Sequence, residues 1–416
     1  MKSRAALVAF IAGLAYVFAI MQRSSLGVAA ILATSRFHTN ASQLGALSVV
    51  QLALYAGMQI PVGILLDRFG PKKLLIVGSL AMAGGQAVLA TASDLGLALV
   101  GRGLVGFGDA FTFITMIRLV NAWYTGSRAA RIQQLLSNFG QLGQIISAVP
   151  FAALLGVAGW TPAFGILSGV SLGLAVIVLA FVSDAPQGST HQRHANIKSV
   201  LAGLAQSLKL PAVRLGFWTH FAAQSAGTVF ILAWGVPYVV SGLGYSHALA
   251  SSFLLIFVGM SVCYGPFVGW FCAKFPQWRV RLVSASVASV LFAVVLQIVY
   301  PGVMPAWVLA GLLVLVATGG PTSMIAFDFS RAHVARESLG AANGFINVGG
   351  FIASLTMMAL IGFGIDLQQK LDCTNSACGL LFSLEHFRVA FIAEIAVVGF
   401  GLVMLLRARN KLAKAE

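Results

Sequence analysis

Leu95–Val120 reads LGLALVGRGLVGFGDAFTFITMIRLV. A helix needs about 20 predominantly apolar residues to cross a hydrocarbon core, and this run supplies them. Its middle is interrupted by Arg102 and Asp109. An ionised group at such a depth is costly unless it meets a partner or a water-filled cavity, so charge inside a span marks a candidate functional site. Seven positions separate the two, about two helical turns, which puts both on one face. That face is directed away from lipid.

The rest of the chain repeats the pattern. With 59% hydrophobic and 9% charged residues, it has too little polar content to cover a soluble globule of 416 residues. About twelve apolar stretches follow one another. The first six run over residues 5–32, 44–66, 74–91, 95–120, 132–157 and 162–182. After a polar stretch come 213–240, 248–272, 282–300, 304–327, 338–363 and 389–406. Lys and Arg concentrate in alternate loops, as at Arg68, Lys72, Lys73, Arg128, Arg131 and Lys274, and near both termini. Cytoplasmic loops carry this excess, so both termini are expected inside, and the formal charge of +15 follows from topology without a nucleic-acid partner. The basic central segment is placed to touch lipid headgroups. The first apolar run continues past Arg23 without a convincing cleavage site and is read as the first span.

An internal repeat organises these spans. Pro61, Gly63 and Lys73 have a degraded counterpart in Pro266, Gly269 and Arg279, with the glycines 206 positions apart. At the same offset Phe139, Gln141, Gly143 and Ile146 fall on Phe345, Asn347, Gly349 and Ile352. The expected fold class is an all-α polytopic membrane protein with two six-helix halves around a central cavity. The expected divisions are 1–183, a cytoplasmic linker at 184–211, and 212–416.

The run Gly63-Ile-Leu-Leu-Asp67-Arg68-Phe-Gly70-Pro-Lys72-Lys73 resembles the signature loop between helices 2 and 3 of the major facilitator superfamily. Gly101-Arg102-Gly103-Leu-Val-Gly106-Phe-Gly108-Asp109 resembles its helix-4 motif. Gln22-Arg23-Ser-Ser-Leu-Gly-Val-Ala29 is similar to helix 1 of the anion:cation symporters, a group that includes sugar-acid and vesicular glutamate transporters. The chain differs from that group at Gln22, where many members carry an acid, and at Asp109, where glutamate is usual. The resemblance implies alternating access and makes Asp67, Arg68, Gly63 and Gly70 gating residues, with Asp67 facing the start of helix 11 near Ser338 and Leu339.

The charges support an anionic substrate independently. Counting from the span centres puts Arg23 and Arg102 about 7 to 9 Å to the extracytoplasmic side and Asp109 near the middle. One carboxylate neutralises at most one arginine, and the remaining positive potential favours a carboxylate or phosphate. The alternative is an ion pair of Asp109 with Arg102 or Arg23 that only joins helices. Asp109 is the candidate proton-coupling group.

Further candidate substrate contacts are Gln22, Gln51, Tyr55, Gln141, His220, Gln224 and Asn347, polar residues at helical spacing that equally suit interhelical hydrogen bonds. Glu394 reads as part of a peripheral helix with a partner near the interface. Gly84, Gly85, Gly140, Gly143, Gly349 and Gly350 permit close helix approach, and Pro61, Pro150, Pro237, Pro266 and Pro321 permit bends. Cys373 and Cys378 flank an extracytoplasmic loop where a disulfide persists if formed.

Phosphate-binding, zinc-protease and nucleophile-elbow motifs are missing from the sequence, so neither an enzyme nor a resident cofactor or metal is expected. The reading is a proton-coupled importer of a small organic anion, monomeric, in a bacterial inner membrane. The alternatives are a multidrug or metabolite exporter and a non-transporting receptor. Span 5 has Gly140, Gly143 and Pro150 without the Gly-Pro-rich run of proton-driven antiporters.

Overall fold

The computed structural model describes residues 2–186, 208–334, 339–374 and 379–414, and every regular element among them is helical. Twelve helices among the described residues are long and apolar enough to span a membrane. They are α1 (Arg4–Phe37), α2 (Ala41–Gln59), α3 (Pro71–Thr91), α4 (Leu95–Trp123), α5 (Arg131–Ala158) and α6 (Trp160–Phe181). The others are α7 (Pro211–Gly242), α8 (His247–Lys274), α9 (Pro276–Val299), α10 (Ala306–His333), α11 (Ala342–Thr374) and α12 (Leu384–Leu412). Beyond its apolar run, α2 continues as helix to Phe69.

Local chemistry sets several of the helix starts. Asp94 caps α4 by accepting from the Leu97 N–H at 3.0 Å, and Ser246 caps α8 through the Leu249 N–H at 3.2 Å. Ser383 caps α12 through the His386 N–H at 3.2 Å. That span therefore begins before the apolar run expected at Val389, and α11 extends past Phe363 to Thr374 because Gln369 and Lys370 are good helix formers outside lipid.

The prolines divide into two kinds. Pro150 and Pro237 sit at π-helical interruptions, Ser147–Phe151 in α5 and Phe230–Trp234 with Tyr238–Gly242 in α7. Pro321 lies in the short helical segment Gly319–Ser323, set off from the rest of α10 by turns at Thr318 and at Met324–Ile325. Pro61 and Pro266 stay inside continuous helices.

The chain divides into two compact units, Met1–Phe37 with Val50–Ile197 and His38–Val49 with Lys198–Glu416. In the first unit α3 packs along α4 and α6, and α1 packs on α4 and α5. Two pairs of glycines hold α3 against α4. A Cβ on Gly85 would meet the Gly101 carbonyl at 2.7 Å, and one on Gly78 would meet the Gly108 carbonyl at 2.7 Å. Gly84, its neighbour in sequence, faces open space. Small residues are what let helix backbones approach this closely where no hydrophobic force drives association.

In the second unit α7 is central, packed on α11 and α12. The segment 38–49 joins this unit through Asp366, whose carboxylate accepts from the Ala41 and Ser42 N–H groups at 2.7 and 2.9 Å. An acid at a helix N-terminus satisfies orphan donors and meets the positive dipole end.

The outer faces are apolar. On α6, Leu172, Val176 and Leu179 are 53%, 59% and 60% exposed, while Leu167, Leu174 and Val178 are buried. A helix that is apolar on both its buried and its exposed faces is one that lies in lipid.

Candidate functional site

Four helices of the first unit bring the intramembrane charges together. The glycines of α4 let it approach its neighbours, and a Cβ on Gly106 would collide with the Gln51 carbonyl of α2. From this position Asp109 reaches α1. Arg23 Nε donates to Asp109 Oδ2 at 2.7 Å and its Nη2 to Oδ1 at 2.9 Å, a bidentate pair. The guanidinium also lies over the Tyr55 ring, 4.2 Å from its centroid.

Arg102 takes a different partner from the one its shared face with Asp109 suggests. It donates to the Gln51 side-chain oxygen and to the carbonyls of Gln22 and Arg23 at 3.4 and 3.3 Å. It is 1% exposed, and its Nε has no hydrogen bond among the described residues. Gln22 is buried too and donates to Ser171 Oγ of α6 at 2.6 Å. The two arginines thus differ in accessibility. Asp109 is fully buried, whereas Arg23 keeps 17% of its side chain exposed.

Tyr16 is a member of this group that the sequence reading missed. It lies in the field of Arg23, Tyr55 and Asp109, and its ring packs on Phe113 at 5.1 Å. Its position seven residues before Arg23, two turns along one face, was the available signal. Gln141 is half-buried and accepts from Gln144 of its own span at 2.9 Å.

In the second unit, His220 of α7 is buried, with Nδ1 at 3.3 Å from the Ser323 carbonyl. Gln224 and Asn347 lie beside the ring, whose Nε2 has no close hydrogen-bond partner among the described residues. Gly350 makes room for both: a Cβ there would meet Gln224 Oε1 at 2.6 Å and His220 Cδ2 at 2.8 Å. Glu394 departs from the peripheral, interface-paired reading. It is 8% exposed and lines a small cavity with Gln297, Trp234 and Phe391, and no ion pair involves it among the described residues.

In the signature loop, Gly70 adopts φ 80° and ψ 160°, and a Cβ there would meet Asp184 Oδ2 at 2.7 Å. Asp184 accepts from the Lys72 N–H at 2.6 Å and so caps α3. This acid, read in the sequence only as the start of the linker, is what the loop closes around. Arg68 stacks on Phe69 at 5.2 Å, and Gly63 faces open space. The Asp67 side chain and Ser338 lie outside the described residues. Cys373 is disulfide-bonded, Cys263 and Cys272 are free, and Cys378 lies outside the described residues.

The family model of the Major Facilitator Superfamily matches residues 12–358. The hexuronate transporter of Bacillus subtilis is 26% identical over 85% of this chain and 86% of its own. The probable sulfoacetate transporter SauU of Cupriavidus necator is 32% identical over 42% of this chain, which spans 40% of that relative's length. A bacterial homologue of the human lysosomal transporter Spinster has the same fold, with a TM-score of 0.81 at 14% identity, covering 100% of this chain and 98% of that one.

Proposed function

The chain belongs to the Major Facilitator Superfamily, and from that premise we propose a secondary active transporter that carries a small organic anion together with a proton by alternating access. It is an integral multi-pass membrane protein. The observation that carries the substrate class is Arg23, a guanidinium inside a span, part-exposed and held by a single carboxylate. A substrate carboxylate or sulfonate presents the same two oxygens as Asp109 and fits the same bidentate geometry. The cargoes in the relatives' names, hexuronate and sulfoacetate, are anions of this kind.

In this reading a proton on Asp109 frees Arg23 for the anion, and loss of that proton restores the pair and expels the anion. Proton and anion then favour each other's binding, as linkage requires. Arg102 acts behind Arg23, through its positive field and by tying α1 and α2 to α4. Gln22, Gln51, Tyr55 and Gln141 are the polar substrate contacts of the first unit, and His220, Gln224 and Asn347 those of the second. Asp67, Arg68, Gly63 and Gly70 serve gating between two six-helix halves. We assign both termini to the cytoplasm of a bacterial cell and the chain to its inner membrane, following the Lys and Arg distribution.

The test is uptake of labelled hexuronate and sulfoacetate into proteoliposomes under an imposed pH gradient. Saturable accumulation driven by inward protons, lost in Arg23→Gln, is the expected result. Flux of the opposite gradient dependence identifies an exporter. A well-folded protein with no flux of any carboxylate or sulfonate removes the proposal.

A further inference from the structure

At the end of the second unit where α7 starts and α12 finishes lies a cleft of about 470 Å³, well separated in sequence from Arg23. Its walls are two helical stripes. Arg214 and Trp218 are one turn apart on α7, and Met404, Arg407, Lys411 and Lys414 recur at spacings of three and four on α12 and its last turn.

The cleft changes character with depth. At about 1.5 Å per residue, Trp218 lies about 6 Å deeper than Arg214, and Met404 about 15 Å deeper than Lys414. The cations are therefore at the mouth and the apolar side chains are toward the membrane interior. Trp218 continues the apolar side by packing edge-on against Phe400 at 5.6 Å, a ring that is 54% exposed.

Among the described residues the charges at the mouth have no acidic partner. Among the described residues no acidic side chain lines the cleft, and none of Arg214, Arg407, Lys411 and Lys414 forms an ion pair. A helix C-terminus attracts cations, which accounts for some of those on α12. It does not account for Arg214, which stands in the first turn of α7, at the positive end of that helix. Its Nε is satisfied by the Leu208 carbonyl at 3.0 Å, and the charge is left facing three others.

We propose that this cleft binds the headgroup of an anionic phospholipid. The phosphodiester sits among Arg214, Arg407, Lys411 and Lys414, and an acyl chain lies along Trp218, Met404 and Phe400. The order of polarity matches a lipid in a leaflet, and basic pockets at the membrane surface between spans hold such headgroups. A soluble phosphate satisfies the cations but has no use for the apolar wall.

The experiment titrates the purified full chain in detergent with dioleoylphosphatidylglycerol and, separately, with dioleoylphosphatidylcholine and glycerol 3-phosphate, reading bound ligand by native mass spectrometry. Tight binding of phosphatidylglycerol alone is expected. Arg407→Gln with Lys411→Gln should weaken it about twenty-five-fold, about fivefold for each cation. Both sites are exposed, so the variant keeps its fold, which its melting temperature verifies. Arg409→Gln with Lys274→Gln removes two charges outside the cleft and should leave affinity unchanged. Trp218→Ala should weaken lipid binding while leaving any glycerol phosphate binding as it was. Equal loss in the control pair means diffuse surface attraction and overturns the proposal. Glycerol 3-phosphate binding as tightly as the lipid overturns it in favour of a soluble anion. The readout is lipid binding, so it stands or falls independently of anion transport.

Discussion

Arg23 and Asp109 satisfy each other with the carboxylate fully buried and the guanidinium largely so, and that sets what single substitutions do. Removing one member of a buried pair leaves the other charge uncompensated, typically at about 3–5 kcal/mol, whereas removing both together costs much less. Arg23→Gln should therefore lower the melting temperature of the purified protein, and Arg23→Gln with Asp109→Asn should recover most of the loss without recovering transport. Additive losses in this double-mutant cycle would mean that the two residues are not coupled. That these charges lie within apolar spans was legible in the sequence, because an apolar run makes every ionised position conspicuous. Their pairing was not. The seven-residue spacing correctly puts Arg102 and Asp109 on one helix, but which partner each takes depends on how near α1 and α2 approach α4. For α2 that approach is set by Gly106 against the Gln51 backbone, a contact with no trace in the spacing of α4 itself.

At the scale of elements, glycines and one linker acid do work that composition hides. Gly84 and Gly85 are adjacent and look equivalent, yet only Gly85 lies against α4. Gly85→Ala and Gly108→Ala should each destabilise the protein by about 1–3 kcal/mol, the usual cost of overpacking, while Gly84→Ala should be neutral. Thermal unfolding of the three variants checks this, and equal effects at Gly84 and Gly85 would contradict the packing. The signature loop gives a second case. Gly70→Ala introduces a Cβ at positive φ, about 1 kcal/mol or more of backbone strain, and drives it into Asp184. Asp184→Ala removes the cap of α3 at about 1 kcal/mol. With Asp184 already gone, Gly70→Ala should cost only its backbone strain, which the double variant's melting temperature measures. The spans themselves were readable because a twenty-residue apolar run has few other uses. Their ends at α11 and α12 were not, since Gln369, Lys370 and the Ser383 cap extend helix beyond the apolar stretch that marks the membrane.

At the scale of the whole molecule, the proposed function requires that a single buried carboxylate tie the movement of an anion to that of a proton. Asp109 is the acid that holds Arg23, so its occupation by a proton and the occupation of Arg23 by an anion are the two events to be linked. If they are linked, Asp109→Asn mimics the protonated form permanently. The carboxamide keeps the shape, loses the charge, and leaves Arg23 free for substrate at every stage of the cycle. Such a protein should bind the anion at least as tightly as the parent and exchange labelled for unlabelled anion across a proteoliposome membrane. It should nevertheless fail to accumulate the anion against a concentration difference, because the step that expels substrate by restoring the ion pair has been removed. The measurement is a comparison of counterflow with gradient-driven uptake in the same vesicles, with parent protein showing both. Retained accumulation in Asp109→Asn under a pH gradient would move the coupling site elsewhere. Glu394, buried at 8% exposure beside Gln297, is then the next carboxylate to substitute, ahead of His220, whose Nδ1 is already placed on the Ser323 carbonyl.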